Sequence, residues 1–487
     1  MKKVAIVIPP ITDFYYTPHR GAFLGAWIVK KIIEEKGYIT TLFDFPNKKS
    51  RVISLPKELY YLENNIIPDE RGPIAFFSSY KRFGYSFDKC LRLIKEFSPD
   101  AVILSLFAFA YSQEFIDFSK KLRDCFKKLP FIAGGSGVTC FPEYFEKTGI
   151  FDTLLCGEIE CLKDDLFKAI EGKTSGTIRT NRKTDKNNIE FKIVKTIKIK
   201  GQTHFSTILS RGCPKNCAFC SNFLIQGRNF RTVKLESVER EFKQYSTNSA
   251  VHFNFEDDNI LLDKDYLIEV LKLLKKYFPN STFSFENGID YLFLNDSLVA
   301  KLIRHGISHF NLSIGSIKSE ILKENKRPLS IEKLTEILHT IKKYGTKSIV
   351  YFISGLKNDS FENTISTLIF LKNLPCITGI SPFYPVPGIK GFEDRGVFEK
   401  TSPLLTKGSS FYPWNRSLKT GEMIEAFRLA RLSNLTKKKD KKQFELELLE
   451  RIKKDNSLFT ILKNGSLVKV KTKTNLREFF EPLKVTL

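Results

Sequence analysis

No stretch of this sequence is apolar for long enough to cross a bilayer. The longest run, around Ala101–Tyr111, falls well short of the roughly 20 residues that a spanning helix needs. The opening apolar stretch stops at Pro9-Pro10, too early for the core of a secretory signal. These absences predict a cytoplasmic protein with no membrane partner. Short-period repeats are missing too, and acidic residues are outnumbered: 54 Asp and Glu face 78 Lys and Arg, a formal charge of +24. Such an excess can attract nucleic acid or an anionic surface. The lysines nevertheless fall in scattered runs, such as Lys437–Lys439 and Lys441-Lys442, without an aromatic-lined stripe, and read as solvated surface. Cysteines at disulfide spacing are also scarce. Six of the nine (Cys90, Cys125, Cys140, Cys156, Cys161 and Cys376) are scattered and read as buried thiols in a reducing compartment.

What is present is enough apolar material, 42% hydrophobic and 13% aromatic, for packed cores in two or three domains. Residues 1–171 alternate buried strands (Val4–Ile8, Ile39–Phe43, Ala101–Leu106, Phe131–Ala133) with helices (Gly21–Lys36, Phe87–Phe97, Gln113–Lys127). This rhythm predicts a doubly wound, Rossmann-like parallel sheet covered on both faces. The irregular stretch 46–85 is long for a structureless loop and predicts a cap. Residues 172–203 are polar and read as a linker with a hairpin. A second rhythm fills 204–390, with strands at Phe205–Leu209, Val251–Phe255, Thr282–Phe285, Ser308–Ile314, Lys347–Ile353 and Thr378–Ser381. Helices fall between them at Leu235–Tyr245, Lys264–Tyr277, Asp296–Arg304, Ile331–Tyr344 and Phe361–Lys372. Six strands and five helices predict a partial (β/α)6 barrel with its chemistry at the carboxyl ends of the strands. Residues 391–487 read as a small α-rich region, where Phe411-Tyr-Pro-Trp414 forms either a lid or an aromatic plug.

The chemistry concentrates directly after the first barrel strand, in Ser210-Arg-Gly-Cys-Pro-Lys-Asn-Cys-Ala-Phe-Cys220. Cys213, Cys217 and Cys220 place three thiolates on one tight loop. A [4Fe–4S] cube closed by protein needs four thiolates, so three leave one iron open for a catalytic cofactor. A zinc site would need a fourth ligand, which no residue at motif spacing supplies, though distant His204 or His252 remain alternatives.

The triplet, with Phe219 before its last cysteine, resembles the radical S-adenosylmethionine (SAM) signature. The resemblance continues through Phe255-Glu-Asp-Asp-Asn259, Asn311-Leu-Ser-Ile-Gly-Ser316, Ile353-Ser-Gly-Leu356 and Ser381-Pro-Phe-Tyr-Pro-Val-Pro-Gly388, in the family's order. It implies that SAM chelates the open iron and is cleaved reductively to a 5′-deoxyadenosyl radical. It also places Glu256, Asp257 and Asp258 near the SAM amino group, Phe219 and Gly355 at the adenine, and Asn287, Ser313 and Ser316 at the ribose and carboxylate. Arg228, Arg231 and Arg327 are further candidates, for carboxylate charge. An electron donor such as a flavodoxin or ferredoxin is implied as a partner.

Ahead of such a barrel, Gly134-Gly135 and Cys156-Gly157-Glu158-Ile159-Glu160 resemble the cobalamin-binding domain of one branch of that family. The resemblance puts Ser105, Gly134, Gly135 and Glu158 against cobalamin. His19, in Thr17-Pro-His-Arg-Gly21, stands where some members carry Asp-x-His-x-x-Gly, but the Asp is missing and the glycine comes one residue early. A corrin without a protein ligand is therefore the expected bound form, with loss of cobalamin as the alternative. The leading expectation is a cobalamin-associated radical SAM methyltransferase acting on a small molecule or peptide. The alternatives are an RNA-modifying, methylthiotransferase-like enzyme, motivated by the charge and by Gly227-Arg-Asn-Phe-Arg231, and a non-catalytic Fe–S or zinc sensor.

Overall fold

The computed structural model describes residues 1–17, 23–180, 189, 191–199 and 201–481. His19 lies outside the described residues, as do 181–188, 190 and 200 of the linker stretch. The chain divides into two units. The first comprises Met1–Ile53, Lys81–Asn287 and Pro385–Thr406; the second comprises Ser54–Tyr80, Gly288–Tyr384 and Lys407–Leu487.

In the first unit, the apolar run after Lys2 becomes β1 (Lys3–Ile8), with Val4, Ala5, Ile6 and Val7 wholly buried. The run is continuous rather than alternating because both faces are covered. Around β1 a fully parallel sheet forms from β2 (Ile39–Asp44), β3 (Ala101–Ser105), β4 (Phe131–Gly134), β5 (Thr153–Cys156) and β6 (Gly176–Arg179). Its order is β6-β5-β4-β3-β1-β2. On one face, Ile28, Ile32 and Ile33 of α1 (Leu24–Glu35) and Leu166, Ala169 and Ile170 of a helix at Lys163–Ile170 pack on Val4, Ile6 and Ile8. Helices α2 (Phe87–Phe97) and α3 (Ser112–Cys125) bring Phe97 to Phe43 at 6.0 Å and Phe118 to Phe45 at 6.2 Å. Each fully buried Ile or Phe of this kind contributes about 1.5–3 kcal/mol. The chain steps from β1 to β2 on one side and returns to β3 on the other. The loops leaving β1 and β3 therefore part, and a crevice opens at the carboxyl edge. β5 and β6 were not among the predicted strands. β5 is only four residues long, and β6 is a partly exposed edge within the polar stretch, so neither carries a periodic apolar signal.

The same unit holds a second sheet, in the order β7-β8-β9-β10. β7 (Val194–Ile199) pairs antiparallel with β8 (Gln202–Thr207), the first of the strands expected in the barrel, so the hairpin reaches beyond the 172–203 stretch. β8, β9 (Val251–Phe255) and β10 (Ser281–Ser284) run parallel. Alternation splits their side chains. Phe205, Phe253, Phe255 and Phe283 share one face, where Phe242 of α4 (Leu235–Gln244) and Phe278 after α5 (Lys264–Tyr277) meet Phe253 at 5.7 and 5.0 Å. The other face carries His204, Ser206, His252, Asn254, Thr282 and Ser284.

The second unit contains three parallel strands, β11 (His309–Gly315), β12 (Lys347–Ser354) and β13 (Ile377–Pro382). Helices α6 (Asp296–Arg304), α7 (Ile331–Lys343) and α8 (Phe361–Lys372) alternate with them. α5, α6 and α8 occupy the predicted residues. Each starts at a side chain (Asp263, Asn295 or Ser360) that accepts a first-turn N–H. The 46–85 stretch is not structureless. Ser50–Val52 and Lys81–Phe83 pair in a small antiparallel sheet with Ile11–Asp13 in the first unit. In the second unit Glu70 meets Arg428 in a buried ion pair, and Phe411 packs against Phe76 at 5.1 Å as an aromatic plug. No helix among the described residues is long and apolar enough to cross a membrane.

Candidate active site

β8 ends at Thr207, whose carbonyl accepts from the Glu256 N–H at 2.9 Å, so the strand-end acidic motif lies beside the start of the cysteine segment. Asp257 fixes that segment. Both its carboxylate oxygens lie 3.2 Å from the Leu209 N–H donor, and the Ser210 hydroxyl donates at 2.5 Å. Burial pushes this carboxyl up to about 7, with the Ser210 and Leu209 hydrogen bonds pulling the other way. Asp258 is pushed up to about 6 by burial, against the Gly212 N–H and Arg211. It also accepts from the Asn222 amide at 2.6 Å.

The cysteine loop is pinched at its base. Ser210 and Arg211 pair antiparallel with Thr232 and Arg231. Gly212 adopts φ +80, and a Cβ there would stand 2.1 Å from the Asn229 carbonyl oxygen. Within the loop the Cys220 N–H donates to the Cys217 carbonyl at 3.2 Å and the Cys213 N–H to that of Gly227 at 3.4 Å. Arg228 staples the loop through the Lys215 carbonyl and Asn216, both at 2.7 Å. Burial pushes the Cys220 thiol up to about 11; the Asn222 N–H lowers it, and Cys217, Asp258 and Cys213 add to the rise. Asn222, two residues past Cys220, holds Asp258 beside the loop through its 2.6 Å hydrogen bond. Thiolates are the ligating form, so a cluster held by these cysteines would release protons on loading. Among the described residues no three His, Cys, Asp or Glu side chains converge to share a single ion. A cubane does not require that, because its thiolates bind separate irons. His252 is occupied elsewhere, with Nδ1 2.9 Å from Thr282 Oγ1 and Nε2 3.0 Å from Ser284 Oγ.

A cavity of about 650 Å³ in the first unit joins the two sheets' carboxyl edges. Ser105, Gly134, Gly135, Ser136 and Glu158 line it from the six-stranded sheet. Arg211, Asn222, Glu256, Asp257, Asp258 and Asn287 line it from the second. Tyr16, Phe23 and Phe107 give it aromatic walls, with Phe23 and Phe107 at 4.8 Å. The glycine pair has an internal reason as well as a place in this lining. At Gly135 (φ +98) a Cβ would meet the Leu106 carbonyl oxygen at 2.5 Å, and at Gly134 the Leu155 oxygen at 3.1 Å. Such a volume, lined by apolar and polar side chains together, suits a large amphipathic cofactor.

The structure therefore brings Glu256, Asp257, Asp258, Asn287, Ser105, Gly134, Gly135 and Glu158 to one cavity. Asn287 donates to the Glu256 carbonyl at 3.0 Å. Phe219 is half-buried within the cysteine loop. Ser313, Ser316 and Gly355 belong to the second unit. There the Gly355 N–H donates to Asp359 at 2.9 Å and its carbonyl accepts from Asn415 at 3.0 Å. Arg327 donates to the Ser313 carbonyl at 2.8 Å, and Ser316 Oγ accepts from the Lys318 N–H at 3.2 Å.

Sequence reasoning missed two groups, Arg211 and Glu160. Arg211 Nη2 lies 2.6 Å from Glu160, and its Nη1 is 3.3 Å from Glu158. Arg231 makes a bidentate pair with Glu158, at 3.0 and 2.5 Å. Nothing in the local pattern announces a pairing of residues so far apart in the chain.

Residues 207–371 match the radical SAM superfamily. The bacteriochlorophyllide d C-12(1)-methyltransferase of Chlorobaculum tepidum is 26% identical over 197 residues, 39% of this chain and 42% of that protein, so the match spans less than half of the relative's length. The cytidylyl-2-hydroxyethylphosphonate methyltransferase of Streptomyces wedmorensis is 21% identical over 411 residues, 73% of each chain. Among solved structures, the fold resembles that of the radical SAM methyltransferase TsrM from Kitasatospora setae, determined with cobalamin and a [4Fe–4S] cluster bound. The TM-score is 0.56 and the identity 14%, over 80% of this chain and 76% of that one. The cysteine loop at the mouth of β8 and the matched span together identify residues 207–371 as a domain of the radical SAM superfamily.

Proposed function

We propose that the chain is a cobalamin-dependent radical SAM methyltransferase. The observation that carries this reading is the single cavity shared by the glycine-lined edge of the six-stranded sheet and the acidic strand ends beside the cysteine loop. Relatives named as methyltransferases for a bacteriochlorophyllide and a phosphonate support the group transferred, and the TsrM fold supports the cofactor pairing. In this scheme Cys213, Cys217 and Cys220 hold the [4Fe–4S] cluster. Glu256, Asp258 and Asn287 offer carboxylates and an amide to the SAM amino and ribose groups. Asp257, satisfied internally, holds the loop instead. Ser105, Gly134, Gly135 and Ser136 line the corrin's end, and Phe23 and Phe107 exclude water there. Bound together, the cluster and SAM supply a 5′-deoxyadenosyl radical and cobalamin supplies a transferable methyl group. A small molecule or peptide is the substrate class, and a flavodoxin or ferredoxin the electron donor.

Anaerobic reconstitution with iron, sulfide and hydroxocobalamin tests the proposal. Corrin absorption should co-elute with the protein, and label from methyl-labelled SAM should appear on the corrin. SAM cleavage without corrin binding would overturn it. The RNA-modifying alternative calls for a second cluster in the N-terminal domain. Cys90, Cys140 and Cys156 sit there on three separate elements, α2, the turn of helix at Ser136–Cys140 and β5, which favours one cluster per chain.

A further inference from the structure

Two glutamates grip both feet of the cysteine loop. Glu158 and Glu160 lie just past β5 of the six-stranded sheet; Arg211 and Arg231 are the paired residues where the loop begins and ends. Arg211 forks onto Glu160 at 2.6 and 3.1 Å and reaches Glu158 at 3.3 Å, while Arg231 forks onto Glu158. The four side chains are almost fully enclosed, exposed by 9% (Arg211), 10% (Glu158), 1% (Glu160) and 14% (Arg231). Two buried anions balance two buried cations.

A buried network of this kind adds little net stability, since desolvation consumes most of the Coulombic gain; its best-attested use is to fix one arrangement among several. Arginine's planar fork suits that use, because each bidentate pair sets an angle as well as a distance. Here the arrangement fixed is the position of the Cys213–Cys220 segment against the sheet that lines the cavity. Arg211 stands two residues before Cys213, so its charge also acts on whatever the thiols hold.

We propose that Glu158 and Glu160 are positioning residues for the iron–sulfur site, clamping the feet of the cysteine loop to the six-stranded sheet and neutralising the arginines beside the cluster. This rests on the cluster assigned above and does not depend on cobalamin.

The test uses the full-length reconstituted protein, comparing the parent with Glu160→Gln, the double variant Glu160→Gln/Arg211→Gln, and Glu158→Asp. The readouts are iron per chain, apo thermal unfolding and the midpoint potential of the cluster followed by electron paramagnetic resonance. Glu160→Gln removes the forked partner of Arg211 and leaves it only the longer contact to Glu158, so the midpoint should move positive. The double variant removes the Arg211 charge and should bring the potential back toward the parent, while retaining the cluster about 10-fold less tightly because the clamp is still lost. Glu158→Asp keeps the charge but shortens the reach, and should weaken iron retention without the positive shift. If Glu160→Gln does not fold, the double variant and Glu158→Asp carry the same comparison of retention against potential. Unchanged potential and iron content in the variants that fold would overturn the clamp. A parent that takes up no iron would instead overturn the cluster assignment itself, and so the two failures are distinguishable.

Discussion

The two parallel sheets of the first unit solve different problems with the same strand geometry. The six-stranded sheet buries its central strands on both faces, and it meets the cavity only at the strand ends and loops of its carboxyl edge. The β8–β10 sheet is apolar only toward α4 and α5, and its other face holds His204, Ser206, His252, Asn254, Thr282 and Ser284. A sheet sealed on both sides serves as a wall. One with a polar face can present hydrogen-bonding groups along the strands as well as at their ends.

Substitutions on each face test this contrast. The largest effect belongs to the loop that the polar-faced sheet supports: Cys217→Ala should abolish 5′-deoxyadenosine formation from SAM under dithionite, measured by chromatography, while the apo protein keeps its melting profile. On the apolar face, Phe253→Ala removes a wholly buried ring that touches Phe242 and Phe278, and should cost about 3–5 kcal/mol in denaturant unfolding. On the polar face, His252→Ala empties a site whose two ring nitrogens are hydrogen-bonded, and should cost about 1–3 kcal/mol. A cost equal to that of Phe253→Ala would erase the distinction between the faces.

A pH series on the cluster-free protein gives a smaller, signed effect. The Asp257 carboxyl, pushed up to about 7 in the folded state, lies above its unfolded value near 3.8. Between those values the folded state binds the extra proton, so this group's contribution to stability is full at the acid end and is lost as pH rises toward 7. Asp257→Asn should flatten that part of the pH dependence of unfolding; an unchanged slope would show that Asp257 does not titrate there. The smallest effect is expected of Ser206→Ala. Its buried hydroxyl has no hydrogen-bond partner among the described residues, so the change should fall within about 0.5 kcal/mol of neutral.

Much of this arrangement was legible in the sequence. Val251–Phe255 and Lys264–Tyr277 form over the predicted residues because a buried run and an amphipathic stripe with an Asp263 cap leave little choice of period. The cysteine loop and the Glu256–Asp258 motif were legible as a site. Their division of labour was not: that Asp257 turns inward onto Leu209 and Ser210, while Asp258 faces Asn222, depends on where each backbone N–H ends up. β6 escaped because an exposed edge strand needs no apolar alternation, and the Glu160–Arg211 pair because charge pairing across folded distance leaves no local periodicity. The resemblance accounts for the glycine pair by a bound cobalamin. Part of its reason lies instead in the chain's own Leu106 and Leu155 backbone.

The pinched base at Arg211 and Arg231 has a consequence for assembly. Residues 212–230 form a ring whose ends already meet, so its closure entropy, about (3/2)RT ln n for n residues, is spent during folding and not again when metal arrives. The cysteines then wait on a short tether in place of a wandering one. Insertion of the proposed cluster would then be closer to a local docking event than to a folding reaction.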